Sequence, residues 1–230
     1  MAVPVAQTPG TESRVAGDVT LVPAFNSPSA GDVCVLSVTH IAGATQYGAS
    51  YTFPGDWTLA LALDNGTTHR QWVYYKVATG SEGTGTISIT VTGGSAASFH
   101  RAIIYWFTGA AGVEGITTQE AGAGTGVTDA DVTTLGVDRL ACQIGCMGGN
   151  VAHVNFTTET GVDWTIFNTS AANGPRLCLQ TGSVAAASTV GGGSFTKGSA
   201  GAWLYMGLAI TSPAAGRAKF MHHYSMMAGN

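Results

Sequence analysis

Runs of alternating apolar and polar residues, separated by turn residues, make up most of the chain. Thr86–Thr92 reads T-I-S-I-T-V-T, which is the two-residue period of a strand with one buried face. Arg101–Phe107 is almost continuously apolar instead, which is typical of a strand covered on both faces. No segment has the sustained i, i+3, i+4 spacing of an amphipathic helix. The pattern therefore predicts an all-β chain.

Turn signals between these runs predict antiparallel hairpins. Asp64-Asn65-Gly66 separates the strand-like run Thr58–Leu63 from the aromatic run Gln71–Val77. Asn-Gly supplies the two positive φ angles that a type I′ turn requires. We therefore expect the two flanking runs to pair as one hairpin.

The second half of the chain repeats the first in outline. The triplet Asp56-Trp57-Thr58 returns 107 positions later as Asp163-Trp164-Thr165. The other matching pairs are Gly31–Leu36 with Val137–Cys142, Asn65-Gly66 with Asn173-Gly174, and Ala102–Phe107 with Trp203–Ile210. Because the matches share one order and similar spacing, they predict an internal duplication.

These boundaries define the expected organisation. Residues 1–20 are an N-terminal arm or edge strand, and residues 21–212 are the duplicated part. Its halves are 21–109 and 132–212, and the segment 110–131, rich in Gly, Ala and Thr, is a surface connection. Each half could be a small sandwich, or the halves could form the two sheets of one jelly-roll-like antiparallel β-sandwich. We favour the single sandwich, because about five strands alone bury little apolar surface.

Composition and charge exclude two classes of partner. The net charge is −4 and the nine Lys and Arg residues do not cluster, so the chain lacks the basic surface of a nucleic-acid-binding protein. The longest apolar runs fall well short of the roughly 20 residues that span a membrane. The N-terminus has neither the basic nor the apolar region of a secretory signal. We therefore expect synthesis in a cytoplasm without export.

Residue types that carry chemistry are present but lack the spacing of catalytic or metal sites. Cys142 and Cys146 lie four residues apart in a predicted strand, roughly 13 Å at 3.3 Å per residue. We expect them, with Cys34 and Cys178, to be buried small hydrophobic residues; a disulfide or a metal site is the alternative. Asp129-x-Asp131 has oxygen ligands that suit Ca²⁺, but nothing else in the sequence supports such a site.

The six histidines, His40, His69, His100, His153, His222 and His223, lie near predicted turns or strand ends. A Gly-x-Ser-x-Gly nucleophile motif and the Gly-Lys-Ser/Thr ending of a phosphate loop are both missing from the sequence. We therefore predict no catalytic residue, no cofactor and no metal. Trp57 and Trp164 are expected to anchor the core; the alternative is that they stack on a sugar.

Four motifs in a fixed order carry a family resemblance. They are Ala30–Val33, Pro54–Leu59, Tyr74–Ala78 and Tyr105–Gly109. Over roughly residues 20–212 the chain resembles a group of β-sandwich proteins that recur in tailed-bacteriophage genomes and in bacterial secreted or prophage-derived proteins. The resemblance implies a non-enzymatic structural or adhesive module of a virion surface.

From this resemblance we expect a capsid decoration or head-surface protein. It would be made in the host cytoplasm, form a homo-oligomer and contact the major capsid protein or tail proteins. The alternative is a tail-tip or fibre module that contacts a host glycan through Trp57 and Trp164. A more distant alternative is a lectin-like glycan hydrolase.

The last residues do not fit the repeated pattern. Pro213 and Gly216 mark a break, and the segment that follows contains Phe220, Met221, Tyr224, Met226 and Met227. Leaving these side chains exposed forgoes about 1.5–3 kcal/mol each. We therefore expect residues 213–230 to be a docking arm laid against a neighbouring subunit or the capsid shell. Alternatively, this segment covers an edge strand of its own sandwich.

Overall fold

The computed structural model describes residues 2–16, 20–41, 50–65, 69–92, 99–115, 119–148, 162, 164–168, 176–196 and 200–213. Within these ranges the chain forms nineteen strands and no helix, which confirms the all-β prediction. In chain order the strands are β1 (Val5–Ala6), β2 (Ser13–Ala16), β3 (Thr20–Leu21), β4 (Val33–Ile41), β5 (Ser50–Thr52), β6 (Thr58–Asn65), β7 (His69–Val77), β8 (Ile89–Thr92), β9 (Phe99–Thr108), β10 (Gly112–Glu114), β11 (Gln119–Gly122), β12 (Gly126–Thr128), β13 (Val132–Thr133), β14 (Arg139–Met147), β15 (Trp164–Asn168), β16 (Arg176–Val184), β17 (Thr189–Val190), β18 (Ser194–Thr196) and β19 (Trp203–Thr211).

Two six-stranded antiparallel sheets form the centre of the molecule. The first large sheet has the order β1-β9-β4-β7-β6, and β2 also pairs with β9. The second large sheet has the order β10-β19-β14-β16-β15, and β11 also pairs with β19. Smaller antiparallel sheets accompany them: β3-β8-β5 in the first half, and β12-β18 and β13-β17 in the second.

The two large sheets pack face to face around one apolar core, the central core. Val35 and Ile103 enter it from the first large sheet, and Ile144 and Leu208 from the second. Polar contacts also join the sheets: the Thr39 hydroxyl donates to the Cys146 sulfur at 3.0 Å. Each half of the chain therefore buries one face of its large sheet against the other half.

The opposite face of each large sheet is covered by the smaller sheets. In the first outer core, Leu36 and Ile104 pack with Leu21 and Ile89 of the smaller sheet. The second outer core has two parts, one of Val127, Ala130, Met147, Cys178, Trp203 and Tyr205, and one of Val132, Ala141, Val184, Val190 and Ala209. The molecule consequently has four layers, with the large sheets inside.

Strand alternation explains why the central strands are apolar at nearly every position. In β4, Val33 and Val35 belong to the central core, whereas Cys34 and Leu36 belong to the first outer core. Successive side chains of a strand point to opposite faces, so a strand between two cores needs apolar residues on both. The run Arg101–Phe107 follows this rule within β9, where nearly all residues are buried. The prediction of a strand covered on both faces is confirmed.

Both halves of the chain contribute to the central core and to an outer core. The large sheets form one central sandwich to which each half contributes one sheet. Each half also has a smaller sheet packed on its own outer face. Without the other half, the inner face of each large sheet would be exposed to water.

Equivalent strands of the two large sheets also share their pairing register. Phe107 lies between Ala6 and Val33, and Ile210 lies in the same way between Val113 and Leu140. Ala6 of β1 and Val113 of β10 are therefore 107 positions apart. The same number separates Val33 of β4 from Leu140 of β14. The same offset relates Ser13 of β2 to Glu120 of β11 and Thr58 of β6 to Thr165 of β15.

This register differs by one residue from the alignment of the two halves by sequence. The sequence match placed Val33 against Arg139, whereas the register places Val33 with Leu140. A shift of one residue exchanges the two faces of a strand. Only the Leu140 alignment sets an inward-facing residue of β4 against an inward-facing residue of β14.

The segments outside the predicted halves also take part in the sheets. Strands β1 and β2, from the segment expected as an N-terminal arm or edge strand, pair with β9. Residues 110–131, expected as a surface connection, contain β10, β11 and β12. Such short strands are held by backbone hydrogen bonds, which Gly, Ala and Thr form as well as larger residues do, so composition did not reveal the strands of residues 110–131. The expected docking arm beyond residue 213 lies outside the described residues.

The predicted hairpin is confirmed, because β6 pairs with β7 and the pair next to the turn is Asn65 with His69. Gly66 lies outside the described residues. The Asn65 side chain donates to the carbonyl oxygens of Gly122 at 2.5 Å and Trp203 at 3.2 Å. The end of the hairpin is therefore hydrogen-bonded to the second half of the chain.

Among the described residues, no helix has the length and apolarity needed to cross a membrane.

Gly145, in the middle of β14, lies where the packing leaves no room for a small added side chain. A Cβ there would lie 2.7 Å from the Cys178 sulfur and would also meet the Tyr205 ring. Because both neighbours are fully buried, we expect Gly145→Ala to lower the free energy of unfolding by about 1–3 kcal/mol. Urea denaturation measures this change. Gly55→Ala is the matched control, since a Cβ at Gly55 meets no atom within 4 Å; equal stabilities of the two variants would contradict the prediction.

Candidate functional site

A row of aromatic and cationic side chains lies on the outer face of β7. Alternate residues of a strand share one face, so His69, Gln71 and Val73 turn inward and the residues between them turn outward. Tyr51 of β5 and the nearby Phe53 pack against these outward residues. The aromatic row consists of Arg70, Trp72, Tyr74 and Lys76 of β7 with Tyr51 and Phe53.

The rings of the aromatic row form a continuous half-buried cluster. The ring centroids of Tyr51 and Trp72 are 4.5 Å apart, and those of Phe53 and Tyr74 are 4.2 Å apart. Phe53 lies 6.1 Å from both Tyr51 and Trp72. Such contacts hold each ring in a fixed orientation. The row is therefore pre-organised rather than assembled on binding.

An ion pair closes the end of the row at Arg70. Its guanidinium lies 5.4 Å from the centre of the Trp72 ring, within the range of a cation–π contact. The same guanidinium binds Asp64 through two hydrogen bonds, of which Nη2 to Oδ2 measures 2.6 Å. About half of the Asp64 side chain is exposed, so its carboxylate also faces solvent.

A second ion-pair group closes the other end. The Lys76 ammonium lies 2.8 Å from Asp56 and 3.1 Å from Glu82, and 5.6 Å from the centre of the Trp57 ring. Burial by itself would lower the pKa of Lys76, but the hydrogen bonds to the two carboxylates raise it. Burial would raise the pKa of Glu82, but hydrogen bonds from Thr79 and Lys76 lower it to about 2. The lysine therefore stays charged.

Two histidines lie behind the row. His40 pairs with His100 across β4 and β9, and their ring centres are 4.8 Å apart. Tyr51 Oη and His100 Nδ1 are 2.6 Å apart, at hydrogen-bond distance. Burial, with smaller contributions from His100 and Arg70, lowers the pKa of His40 to about 4. His40 is consequently neutral near pH 7.

The aromatic row combines groups that suit the binding of a ligand. Half-exposed rings between ion pairs offer an apolar surface for stacking and charged groups for hydrogen bonds at both ends. Arg70 and Lys76 are six residues apart on one strand, roughly 20 Å, so their partner carboxylates Asp64 and Asp56 stand at opposite ends.

The tryptophans singled out in the sequence lie in the outer cores. Trp57 is 7% exposed and stacks on Phe25, with ring centres 6.1 Å apart. Trp164 is half-buried and packs against the second outer core. At Trp57, little ring surface is open to a ligand. From the sequence, Trp72 and Tyr74 were expected to lie in the core or at a subunit interface, and the row as a whole was not recognised. Its signal is nevertheless visible there: cation, aromatic, aromatic, cation at alternate positions from Arg70 to Lys76.

The remaining candidate groups do not come together. All four cysteines are buried, as predicted, and none of them forms a disulfide. Burial raises the pKa of Cys34 and of Cys178 to about 12, so these thiols are poor nucleophiles. Within the described ranges, no group of three or more His, Cys, Asp or Glu side chains is placed to bind a metal. At the Asp129-x-Asp131 motif, the Asp129 carboxylate accepts a hydrogen bond from the Gln143 side chain, which also donates to the Ala130 carbonyl.

Several predicted residues lie outside the described residues. They are His153, His222, His223, the Asn173-Gly174 turn, and the docking-arm residues Phe220, Met221, Tyr224, Met226 and Met227. Comparison of the chain with protein-family models, with curated protein sequences and with solved structures finds no match.

Proposed function

We propose that this protein is a non-enzymatic structural protein of a phage virion, a capsid decoration or head-surface protein. The observation that carries the proposal is the ordered set of motifs from Ala30–Val33 to Tyr105–Gly109, which resembles virion-surface β-sandwich proteins. The all-β architecture is compatible with it. The other virion proteins are its partners, and it acts as a homo-oligomer.

We also propose that the fold is a duplicated, jelly-roll-like sandwich. The common strand order of the two large sheets supports the duplication. So does the constant offset of 107 residues between register-matched positions such as Val33 and Leu140. The smaller sheet packed against each large sheet supports a jelly-roll-like unit in each half.

Localisation on the particle tests the proposed virion role. Antibodies raised against the purified chain would be applied to particles released from a host that carries its gene, and detected by immunogold electron microscopy. We expect label on the head. Label confined to the tail would favour the second function below, and particles without label would contradict both.

A second function, recognition of a host glycan, is favoured by the aromatic row. Its stacked rings and flanking ion pairs resemble the surface that a sugar ring needs, with an apolar face and polar edges. In this proposal Trp72 and Tyr74 take the role that the sequence suggested for Trp57 and Trp164. No enzymatic activity accompanies it.

Glycan binding by tryptophan variants tests this second function. On an array of bacterial surface glycans, we expect Trp72→Ala to weaken binding at least about tenfold, because it removes a stacking surface. Trp106→Ala is the matched control, since Trp106 also packs half-buried on the first outer core but lies on β9. Equal losses in the two variants, or no binding by the unaltered protein, would contradict a glycan site at the aromatic row.

A further inference from the structure

The outward face of β6 forms an exposed strip beside the aromatic row. Residues directly opposite one another on paired strands share a face of the sheet, so the strip follows from the pairing of β6 with β7. Its three residues are exposed, and each lies opposite a residue of the row: Leu59 opposite Tyr74, Ala62 opposite Trp72, and Asp64 opposite Arg70. On the other flank of the row, Tyr51 and Phe53 pack against the rings. A ligand therefore reaches the rings over β6.

Ala62 is too small to cover the flank of the Trp72 indole that faces β6. Its side chain ends at Cβ, and Trp72 is accordingly half-buried rather than buried. Asp64 follows two residues later on the same face, roughly 7 Å along the strand. A flat ligand that stacks on Trp72 therefore has a carboxylate at its edge.

Arg70 holds this carboxylate in a fixed orientation. Two parallel hydrogen bonds, from Nε and Nη2 of the guanidinium, reach the two oxygens of Asp64. Such a bidentate pair has a defined geometry as well as a favourable energy. An ionised carboxylate accepts about four hydrogen bonds, and about half of the Asp64 side chain is exposed. The carboxylate consequently presents acceptor positions to solvent beside the Trp72 ring.

The accessible charges around the row balance. Arg70 is paired with Asp64, and Lys76 with Asp56, whereas the third carboxylate, Glu82, has only 5% of its side chain exposed. A charged ligand group, acidic or basic, would have to displace one partner of an ion pair. A hydroxyl group donates to a carboxylate without adding charge. Charge complementarity therefore favours a neutral ligand that is rich in hydroxyl groups.

The irregular pairing of β6 disfavours a peptide as the ligand. Within the described residues β6 ends the first large sheet, and an extended peptide can add to such an edge. The register of β6 shifts between Leu59 and Leu61, however, and a bulge of this kind turns an edge away from strand addition. Recognition along the strip therefore relies on side chains, which suits a sugar better than a strand.

We propose, on the basis of the glycan recognition proposed for the aromatic row, that the row binds neutral sugars and that Asp64 determines this preference. The sugar ring stacks on Trp72, and two neighbouring hydroxyl groups at its edge donate hydrogen bonds to the Asp64 carboxylate. Acidic sugars bind more weakly, because their negative charge faces Asp64 at this edge. A site that hydrogen-bonds the hydroxyl groups of its ligand discriminates strongly against ligands that lack them.

An array of neutral and acidic oligosaccharides tests this preference with the purified full chain. The neutral probes are oligomers of glucose and of galactose, and the acidic probes are the corresponding oligomers of glucuronic and galacturonic acid. We expect the unaltered protein to bind the neutral probes at least about tenfold more tightly. Asp64→Asn removes the negative charge and leaves Arg70 without its ion pair. It should weaken binding of the neutral probes and strengthen binding of the acidic ones, so the ratio of the two affinities should fall at least about tenfold.

Glu114→Gln is the matched control, because Glu114 also binds an arginine, Arg139 at 2.6 Å, but in the second large sheet. It should leave the affinity ratio unchanged. An unchanged ratio in Asp64→Asn would overturn the role of Asp64, and equal or tighter binding of the acidic probes by the unaltered protein would overturn the neutral preference. The second comparison needs no variant, so it decides the substrate class even if Asp64→Asn is unstable. Neither result contradicts glycan recognition itself, which the comparison of Trp72→Ala with Trp106→Ala tests; binding of no probe would contradict both.

Discussion

Residues 1–110 expressed without the rest of the chain are expected to aggregate or to show no cooperative unfolding. This fragment contains the first large sheet but not the second, so the inward face that carries Val35, Ile103 and Phe107 would be exposed to water. Apolar patches larger than a few hundred Å² are rarely exposed on monomers and cause association. Size-exclusion chromatography and a thermal melt measure the outcome.

Co-expression with the complementary fragment is the control for this result. Residues 111–230 contain the second large sheet, so the two fragments together should recover a soluble, cooperatively folded complex. A soluble monomer of residues 1–110 with a cooperative melt would contradict the expectation. It would mean that the first outer core alone stabilises the first half.

The second large effect is a loss of stability at acidic pH. Above pH 6.5, His40 is neutral in both the folded and the unfolded chain. Burial, together with the neighbouring His100 and Arg70, lowers its folded-state pKa from 6.5 to about 4. Between these two values, therefore, only the unfolded chain takes up the proton. The free energy of unfolding should therefore fall as the pH falls from 6.5 to 4. At 1.36 kcal/mol per pKa unit, the loss is about 3 kcal/mol.

Two variants separate His40 from the acidic groups. His40→Gln cannot titrate, so urea denaturation between pH 6.5 and 4.5 should show a much smaller dependence on pH. Glu82→Gln is the matched control, because the pKa of Glu82 is lowered from 4.5 to about 2. The stability from Glu82 is present above pH 4.5 and is lost only below it. If His40→Gln keeps the full dependence between pH 6.5 and 4.5, another group is responsible.

The aromatic row shows how much of a candidate site the local sequence can predict. Arg70, Trp72, Tyr74 and Lys76 stand at alternate positions of a predicted strand, so their common face could be read from the sequence. The sequence did not indicate that this face is half-exposed, or that Tyr51 and Phe53 pack against it. Those properties depend on the contact between β5 and the large sheet, which joins residues distant in the chain.

For Trp57, by contrast, the local sequence draws attention to the residue but does not indicate its surroundings. Its repeat at Trp164 made it conspicuous, and a ring could serve equally in a core or on a surface. Burial separates the two uses, because the stacking of Trp57 on Phe25 depends on the segment between β3 and β4. No local pattern at Trp57 contains that information.

The sequence by itself determined the all-β class, the Asn65 hairpin and the strand between two cores at Arg101–Phe107. Each follows from local chemistry: side-chain alternation, the φ angles of Asn-Gly, and the burial of apolar residues on both faces. Only the tertiary structure decided which sheets meet, which positions of β4 and β14 share a register, and which side chains pack against the aromatic row. The reason is physical: strand pairing and packing join residues about a hundred positions apart, and alternation specifies a face but not its partner.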